Sequence, residues 1–124
     1  MEVPKPLRGE IWMFDLNPKK GREQNGVRPC LVVSTDALNR SNFGTVIICP
    51  ITTTERPHFK WRIAVAPSDL RLTDKGWQAQ PHWVETDQIV TVDTQNRALR
   101  HLATVVNEEK LQSVEDSLRM MLSL

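Results

Sequence analysis

The residues best suited to acid–base and anion chemistry lie between positions 19 and 34. Residues 19–28 are polar, and Gly21 and Asn25-Gly26 favour turns with positive φ. Residues 30–33 are apolar and predict a buried strand. Glu23 and Arg28 therefore lie in a loop and at its junction with a stiff element, an arrangement that often displays reactive groups. The alternative is a surface hairpin in which Arg28 simply pairs with Glu23.

Arg28 is the best candidate for holding an anion. Its guanidinium is permanently charged and presents a planar fork that matches two phosphate oxygens. Pro29 restricts Arg28 to extended backbone angles and so fixes the direction of its side chain. Glu23 is the natural acid–base candidate if it lies close to Arg28; otherwise it is a neutralising partner.

A second candidate group follows an apolar strand further along the chain. Thr52 comes shortly after Pro50, where its hydroxyl could donate to a phosphate oxygen or orient a substrate hydroxyl. Thr53 and Thr54 follow directly, so any of three hydroxyls could point inward. The alternative is a threonine that caps its own loop through the backbone.

The apolar pattern predicts several short strands followed by one helix. Strands are predicted at 8–15, 28–34, 45–49 (ended by Pro50), 59–65, 83–92 and 103–106. The segment 59–65 alternates apolar and basic residues, which predicts an apolar inner face with Lys60 and Arg62 outside. Asn107 is the predicted N-cap of a C-terminal amphipathic helix. The elements together predict a mainly β fold, a small barrel with a packed C-terminal α-helix.

Length and composition indicate a single domain, 1–124, without a signal segment or a membrane span, and a cytoplasmic location is the default. Net charge is only +1, but residues 1–62 hold ten Lys/Arg against six Asp/Glu, whereas residues 63–124 hold six against nine. This distribution fits a polyanion-binding surface built from the N-terminal half without requiring one. Cys30 and Cys49 lie in apolar runs and are predicted to be buried free thiols.

The histidines do not suggest a metal site. His58, His82 and His101 are far apart in sequence and have no accompanying carboxylate cluster, so no metal-ligand spacing is present and no cofactor is expected. His58 follows the threonine loop and is a candidate for substrate contact. His82 and His101 are predicted to be structural or exposed.

Four segments resemble a known family. Gly21-Arg22-Glu23-Gln24 followed by Gly26-Val27-Arg28-Pro29 resembles the G-x-E-Q-x-G-x-R-P signature of the MazF/PemK toxins. Arg8-Gly9-Glu10-Ile11-Trp12, Pro50-Ile51-Thr52-Thr53 and Asp87-Gln88-Ile89 resemble its opening strand, its threonine motif and its late-strand motif, in the same order. The chain departs from the family at Arg22 and Asn25, where small residues are usual.

The resemblance implies an SH3-like barrel that forms a homodimer and acts as a ribosome-independent, metal-independent endoribonuclease. It implies cleavage of single-stranded mRNA at a short sequence by attack of the 2′-hydroxyl, with a cyclic phosphate and a 5′-hydroxyl as products. Arg28 and Thr52 match the family's catalytic positions. The implied partner is a cognate antitoxin whose acidic, flexible tail covers the basic groove.

Substrate binding is predicted for residues that flank this centre in sequence. Basic groups hold the backbone of single-stranded RNA, and amides read base edges. The basic candidates are Lys19, Lys20, Arg22, Arg56, His58, Lys60 and Arg62, and the amide candidates are Gln24 and Gln88. For each, and above all for the lysines, the alternative is a solvated surface residue.

Two rival functions follow from the same fold class. One is a non-catalytic toxin of the same barrel type that binds a protein target such as DNA gyrase. The other is a plain RNA- or peptide-binding SH3-like module. The fold does not decide between them, whereas Arg28 together with Thr52 favours the nuclease.

Overall fold

A computed structural model describes residues 3–124. These residues form eight strands and three helices, with single 3-10 turns at Pro67–Asp69 and Thr86–Gln88. The strands are β1 (Glu10–Asp15), β2 (Val27–Val32), β3 (Thr45–Thr52), β4 (Ile63–Val65), β5 (Leu70–Leu72), β6 (His82–Val84), β7 (Val90–Asp93) and β8 (Ala98–Val105). The helices are α1 (Asp36–Asn39), α2 (Thr94–Arg97) and α3 (Glu108–Leu122). Among these residues, no helix is long and apolar enough to cross a membrane.

All strand pairs are antiparallel, and the strands lie in the order β4-β6-β3-β2-β1-β8-β5, with β7 also pairing with β3. The strand β3 has two sets of partners. Residues 45–48 of β3 pair with β7 and residues 48–50 pair with β2, whereas the last two residues, Ile51 and Thr52, pair with Val84 and Trp83 of β6. The sheet therefore curls along β3, as in a half-open barrel.

Successive residues of the central strands contribute to two apolar clusters, because side chains alternate between the faces of a sheet. On β2, Leu31 faces one cluster, while Cys30 and Val32 face the other. The helix α3 packs on the first cluster through buried Val114. The strands β2 and β3 are thus packed on both faces, which makes them a stiff base for the groups at their ends.

The predicted mainly β fold with a C-terminal helix is confirmed. Asn107 caps α3 as predicted: its side-chain oxygen accepts a hydrogen bond from Glu109 N at 3.0 Å. Cys30 and Cys49 are buried and free, also as predicted, and burial raises the pKa of both thiols, to about 12 for Cys49.

Several predicted boundaries are wrong. Pro50 does not end its strand, because β3 passes from one set of partners to the other there and Pro50 contributes its carbonyl, which accepts from Glu85 N at 2.9 Å. The predicted strand at 83–92 is interrupted by the turn Thr86–Gln88. The last strand, β8, begins at Ala98, five residues before its predicted start.

The alternating segment 59–65 is a strand only over Ile63–Val65. Local turns take up the backbone groups before it, since Phe59 N donates to Arg56 O and Arg62 N donates to Phe59 O. Arg62 is also not on an outer basic face, because its side chain is only 7% exposed. It points instead into the region described next.

Candidate active site

A groove of about 650 Å³ opens where β2, β3 and the turn after β6 meet. It brings together residues from four separate parts of the sequence. Its lining is polar and rich in arginine. The residues that line it are Gly21, Arg22, Gln24, Arg28, Thr52, Thr54, Arg56, Phe59, Arg62, Glu85, Asp87 and Gln88.

Arg28 and Thr52 enter this groove from neighbouring strands. Cys30 of β2 pairs with Pro50 of β3, and Arg28 and Thr52 each lie two residues beyond that pair at the same end of the ladder. A two-residue offset keeps both side chains on the same face of the sheet. The guanidinium and the hydroxyl therefore line one groove.

The Arg28 guanidinium is held from one side. Its Nε donates to the Asn25 carbonyl, and its Nε and Nη2 face the Gln24 side chain. The Gln24 amide is assigned from its surroundings, because only with Oε1 toward Arg28 and Nε2 toward Glu85 are all three groups satisfied. The Arg28 Nη2 is then 3.0 Å from Gln24 Oε1. Within residues 3–124, Nη1 of Arg28 makes no hydrogen bond, so it can bind an anion.

Thr52 Oγ1 accepts a hydrogen bond from Thr54 N at 3.1 Å. This is the loop-capping contact that the sequence left open as an alternative role. This contact uses one acceptor lone pair of the hydroxyl and leaves its donor hydrogen available, because a threonine hydroxyl has two lone pairs and a separate hydrogen. The O–H of Thr52 remains able to donate into the groove, and the cap fixes the position of the oxygen.

The loop that carries Gln24 is attached to the turn after β6. Gln88 Oε1 accepts from Gln24 N at 3.1 Å, and Gln88 Nε2 donates to Arg22 O at 3.2 Å. Gln88 thus uses both ends of its side-chain amide to hold the loop backbone. Positioning this loop is a role that the sequence-based prediction of base reading did not include.

The floor of the groove is a charge cluster in which the side chains of Arg62 and Glu85 are buried and that of Asp87 is partly exposed. Arg62 donates to both oxygens of Asp87, at 3.0 and 2.9 Å, and its Nη2 is 3.1 Å from Glu85 Oε2. Burial raises the pKa of Glu85, and the charge of Arg62 offsets this only in part. Burial also acts to raise the pKa of Asp87, but hydrogen bonds from Arg62 and Trp61 bring it below its usual range. One cation thus serves two carboxylates.

Two aromatic rings stand beside this cluster. Phe59 and Trp61 are stacked with ring centroids 4.8 Å apart, and the Arg62 guanidinium lies 4.9 Å from the Phe59 centroid. Trp61 Nε1 donates to Asp87 at 2.9 Å. Because Phe59 lines the groove, it offers a stacking surface next to the arginines.

The remaining predicted residues lie outside the groove lining. Glu23 is exposed, and within residues 3–124 its carboxylate forms no ion pair with Arg28. Lys20, His58 and Lys60 are also exposed, and Lys19 is half-buried. The groove therefore gathers Arg28, Thr52, Gln24, Arg22, Arg56 and Gln88, but not these five.

Glu85 and Phe59 line the groove but were not predicted from the sequence, and Arg62 was predicted to lie on an outer basic face. A signal for Glu85 was present, since this carboxylate lies between Val84 and Thr86 within the predicted strand 83–92. A charge in such a position needs a partner. Nothing in the local pattern identified that partner as Arg62, because the turn that redirects Arg62 depends on tertiary packing.

Comparison with known proteins identifies the class. Residues 7–122 match the family described as PemK-like, MazF-like toxins of type II toxin–antitoxin systems, and the chain belongs to this family. It is 31% identical over 121 residues to Endoribonuclease MazF9 of Mycobacterium tuberculosis, an alignment that covers 94% of this chain and 96% of that protein.

Solved structures agree with the fold. A MazF crystal structure from Deinococcus radiodurans has a TM-score of 0.75 at 23% identity, covering 98% of this chain and 99% of that one. An endoribonuclease in complex with its cognate antitoxin, from a mycobacterial species, has a TM-score of 0.68 at 25% identity, covering 97% and 95%. The half-open barrel with its C-terminal helix is therefore the fold of MazF toxins.

Proposed function

We propose that this chain is an endoribonuclease toxin that cleaves single-stranded mRNA without a metal ion. The observation that carries the proposal is the convergence of Arg28 and Thr52 on one arginine-rich groove. Family membership and 31% identity to an endoribonuclease over nearly the whole chain support it.

RNA carries its own nucleophile, so the protein has only to assist three events. The 2′-oxygen loses its proton and bonds to phosphorus, the bond from phosphorus to the 5′-oxygen breaks, and that oxygen takes up a proton. The products are a 2′,3′-cyclic phosphate and a 5′-hydroxyl. Arg28 stabilises the additional negative charge on the phosphoryl oxygens through Nη1, and Thr52 donates its O–H to the same group. Glu23 stays a predicted proton-transfer residue, for which loop movement toward the groove would be required.

Several further residues are proposed to hold the substrate. Arg22 and Arg56 line the groove and supply positive charge for neighbouring phosphates, while Gln24 and Gln88 shape its inner wall. The exposed residues Lys19, Lys20, His58 and Lys60 would extend the contact along a longer strand. Phe59 adds a surface on which a base can stack.

We further propose a cytoplasmic protein, folded as one domain over 1–124, that acts as a homodimer and is inhibited by a cognate antitoxin. The groove contains four arginines against two carboxylates, so an acidic, flexible segment would complement it. The related endoribonuclease solved in complex with its cognate antitoxin supports this partner class.

The test is cleavage of a long, unstructured RNA by purified protein in EDTA, with the new 5′ ends mapped. We expect cleavage at a short recurring sequence and a fall in kcat of about 10²–10³-fold in Arg28→Ala. Arg71→Ala is the matched control, because Arg71 is an exposed arginine of β5 outside the groove.

Full activity in Arg28→Ala would contradict the proposal. RNA binding that weakens with salt but yields no new 5′ ends would instead favour the binding-module alternative. Tight binding to a protein such as DNA gyrase, without RNA cleavage, would favour the non-catalytic toxin.

A further inference from the structure

Glu85 lies in a position that the nuclease mechanism above does not use. It follows β6, is only 2% exposed, and has its backbone fixed by the bond from Glu85 N to Pro50 O. Its carboxylate has two different neighbours. Oε2 faces Arg62 Nη2 at 3.1 Å and Gln24 Nε2 at 3.2 Å, whereas Oε1 faces Gln24 Nε2 at 3.0 Å.

We propose that Glu85 is a positioning residue that fixes the orientation of the Gln24 amide and thereby aims the Arg28 guanidinium into the groove. This inference rests on the proposed nuclease function. An ionised carboxylate only accepts hydrogen bonds, so Gln24 must turn its NH2 toward Glu85. Its Oε1 must then face Arg28, where it accepts from the guanidinium. A glutamine amide is nearly symmetric in shape, and the buried carboxylate on one side, together with the donor-only guanidinium on the other, fixes which end faces Arg28.

The need to neutralise Arg62 does not by itself explain the presence of the Glu85 carboxylate. Asp87 already accepts two hydrogen bonds from Arg62, so Glu85 is a second carboxylate on a cation that is already paired. Of the two carboxylates, only Glu85 contacts Gln24. Burying the charge of Glu85 is costly, and Arg62 does not require it for neutralisation. The second contact of Glu85 is with Gln24, which in turn contacts Arg28.

The variant Glu85→Gln changes the hydrogen-bonding character of the side chain that faces Gln24 with almost no change in its shape. The side-chain oxygen would stay on the Arg62 side, and an NH2 would replace Oε1 and face Gln24. Gln24 would then lose the acceptor at Oε1, and its amide would have to place its NH2 against the new NH2 or turn its NH2 toward the Arg28 cation. Either arrangement weakens the contact that holds the guanidinium. We expect kcat to fall by about tenfold or more with KM little changed, since the hydrogen bond lost is one that positions a transition-state group.

A double-mutant cycle with Gln24→Ala identifies the route of the effect. If Glu85 acts through Gln24, then Glu85→Gln has little further effect on kcat in the Gln24→Ala background. The matched control is Asp87→Asn, which weakens the same arginine pair but has no contact with Gln24. Its effect on kcat is expected to multiply with that of Gln24→Ala.

The pH dependence of kcat distinguishes a positioning role of Glu85 from a merely structural one. Charged groups that face Glu85 are Arg62 from the turn before β4, Asp87 from the turn after β6, Arg28 of β2 and Arg56 from the loop after β3. As the pH falls through the raised pKa of Glu85, the protonated carboxyl can donate to Gln24, and kcat should fall. The Glu85→Gln variant should lack this acidic limb.

The positioning role of Glu85 and the nuclease function can be tested separately. NMR of the Arg28 Nε–H and the Gln24 side-chain NH2 reports the contacts from Glu85 through Gln24 to Arg28 without any RNA. Both signals should shift in Glu85→Gln but not in Arg71→Ala. Unshifted signals, or a full Glu85→Gln effect on kcat in the Gln24→Ala background, would overturn the positioning role. Signals that shift in Glu85→Gln, together with a wild-type protein that cuts no RNA, would support the contact through Gln24 and reject the nuclease.

Discussion

Removal of the Arg62 side chain should destabilise the protein in a strongly pH-dependent way. The variant Arg62→Leu keeps apolar volume but leaves Glu85, whose side chain is 3% exposed, and Asp87, whose side chain is 24% exposed, without their shared cation. Breaking a buried pair by removing one partner typically costs about 3–5 kcal/mol. Asp87 keeps some hydration, so we expect about 3 kcal/mol at pH 7, near the lower end of that range.

The sign of the pH dependence follows from the two carboxylates. Without Arg62, the folded-state pKa of both groups rises above the unfolded-state value, so the folded protein binds protons more readily than the unfolded chain. The penalty is then largest above the raised pKa values and shrinks as the pH falls through them. The difference in unfolding free energy between wild type and variant should therefore be clearly smaller at pH 5 than at pH 7.

Urea unfolding at the two pH values measures this difference, and thermal unfolding should show a decrease in Tm of about 10 °C at pH 7. Arg119→Leu is the control, since the 3.2 Å pair of Arg119 with Asp116 is more than half exposed and contributes at most about 0.5 kcal/mol. A loss below about 1 kcal/mol, or an equal loss at both pH values, would show that Arg62 does not stabilise the two carboxylates in the folded protein.

Three further changes have defined outcomes. Thr52→Val should lower kcat by at least about tenfold because it removes the O–H donor, whereas Thr52→Ser should retain most activity; equal rates for both variants in single-turnover cleavage would exclude a role for the hydroxyl. Asn107→Ala should lower the unfolding free energy by about 1–2 kcal/mol, since it removes the cap on Glu109 N, and an unchanged urea midpoint would contradict this. The hydrogen bond from Arg8 N lowers the pKa of Asp36, which stabilises the fold above the ordinary carboxyl pKa of about 4 and less as the pH falls through the lowered value. The stability deficit of Asp36→Asn in urea titrations should therefore shrink toward pH 3, and a deficit that grows in acid would contradict the assignment.

The parts of the fold that depend on local pattern were predictable from sequence. The helix after Asn107 follows from its cap and its apolar spacing, and both act within one element. The placement of Arg28 at the start of a strand follows from the change from turn residues to apolar residues. Its meeting with Thr52 was predictable only through the family resemblance, because strand pairing is not encoded in either segment alone.

The misassigned residues share a physical cause. Arg62 and Glu85 lie in segments whose alternation suggests ordinary strands, yet both segments are broken by turns that tertiary contacts stabilise. A period-2 pattern reports which side chains are apolar, not whether backbone groups find a neighbouring strand. Arg62 can be buried because Glu85 and Asp87 pair with its charge. The sequence pattern does not show that these carboxylates lie beside it.

The change of partners along β3 has a mechanical consequence. Arg28 belongs to the ladder of β1 and β2, whereas Thr52 is tied to β6, so the curvature of one strand around Pro50 sets the gap between guanidinium and hydroxyl. The same proline carbonyl anchors the backbone of Glu85. A substitution that straightens this bend would spread the three side chains apart together, even though it touched none of them.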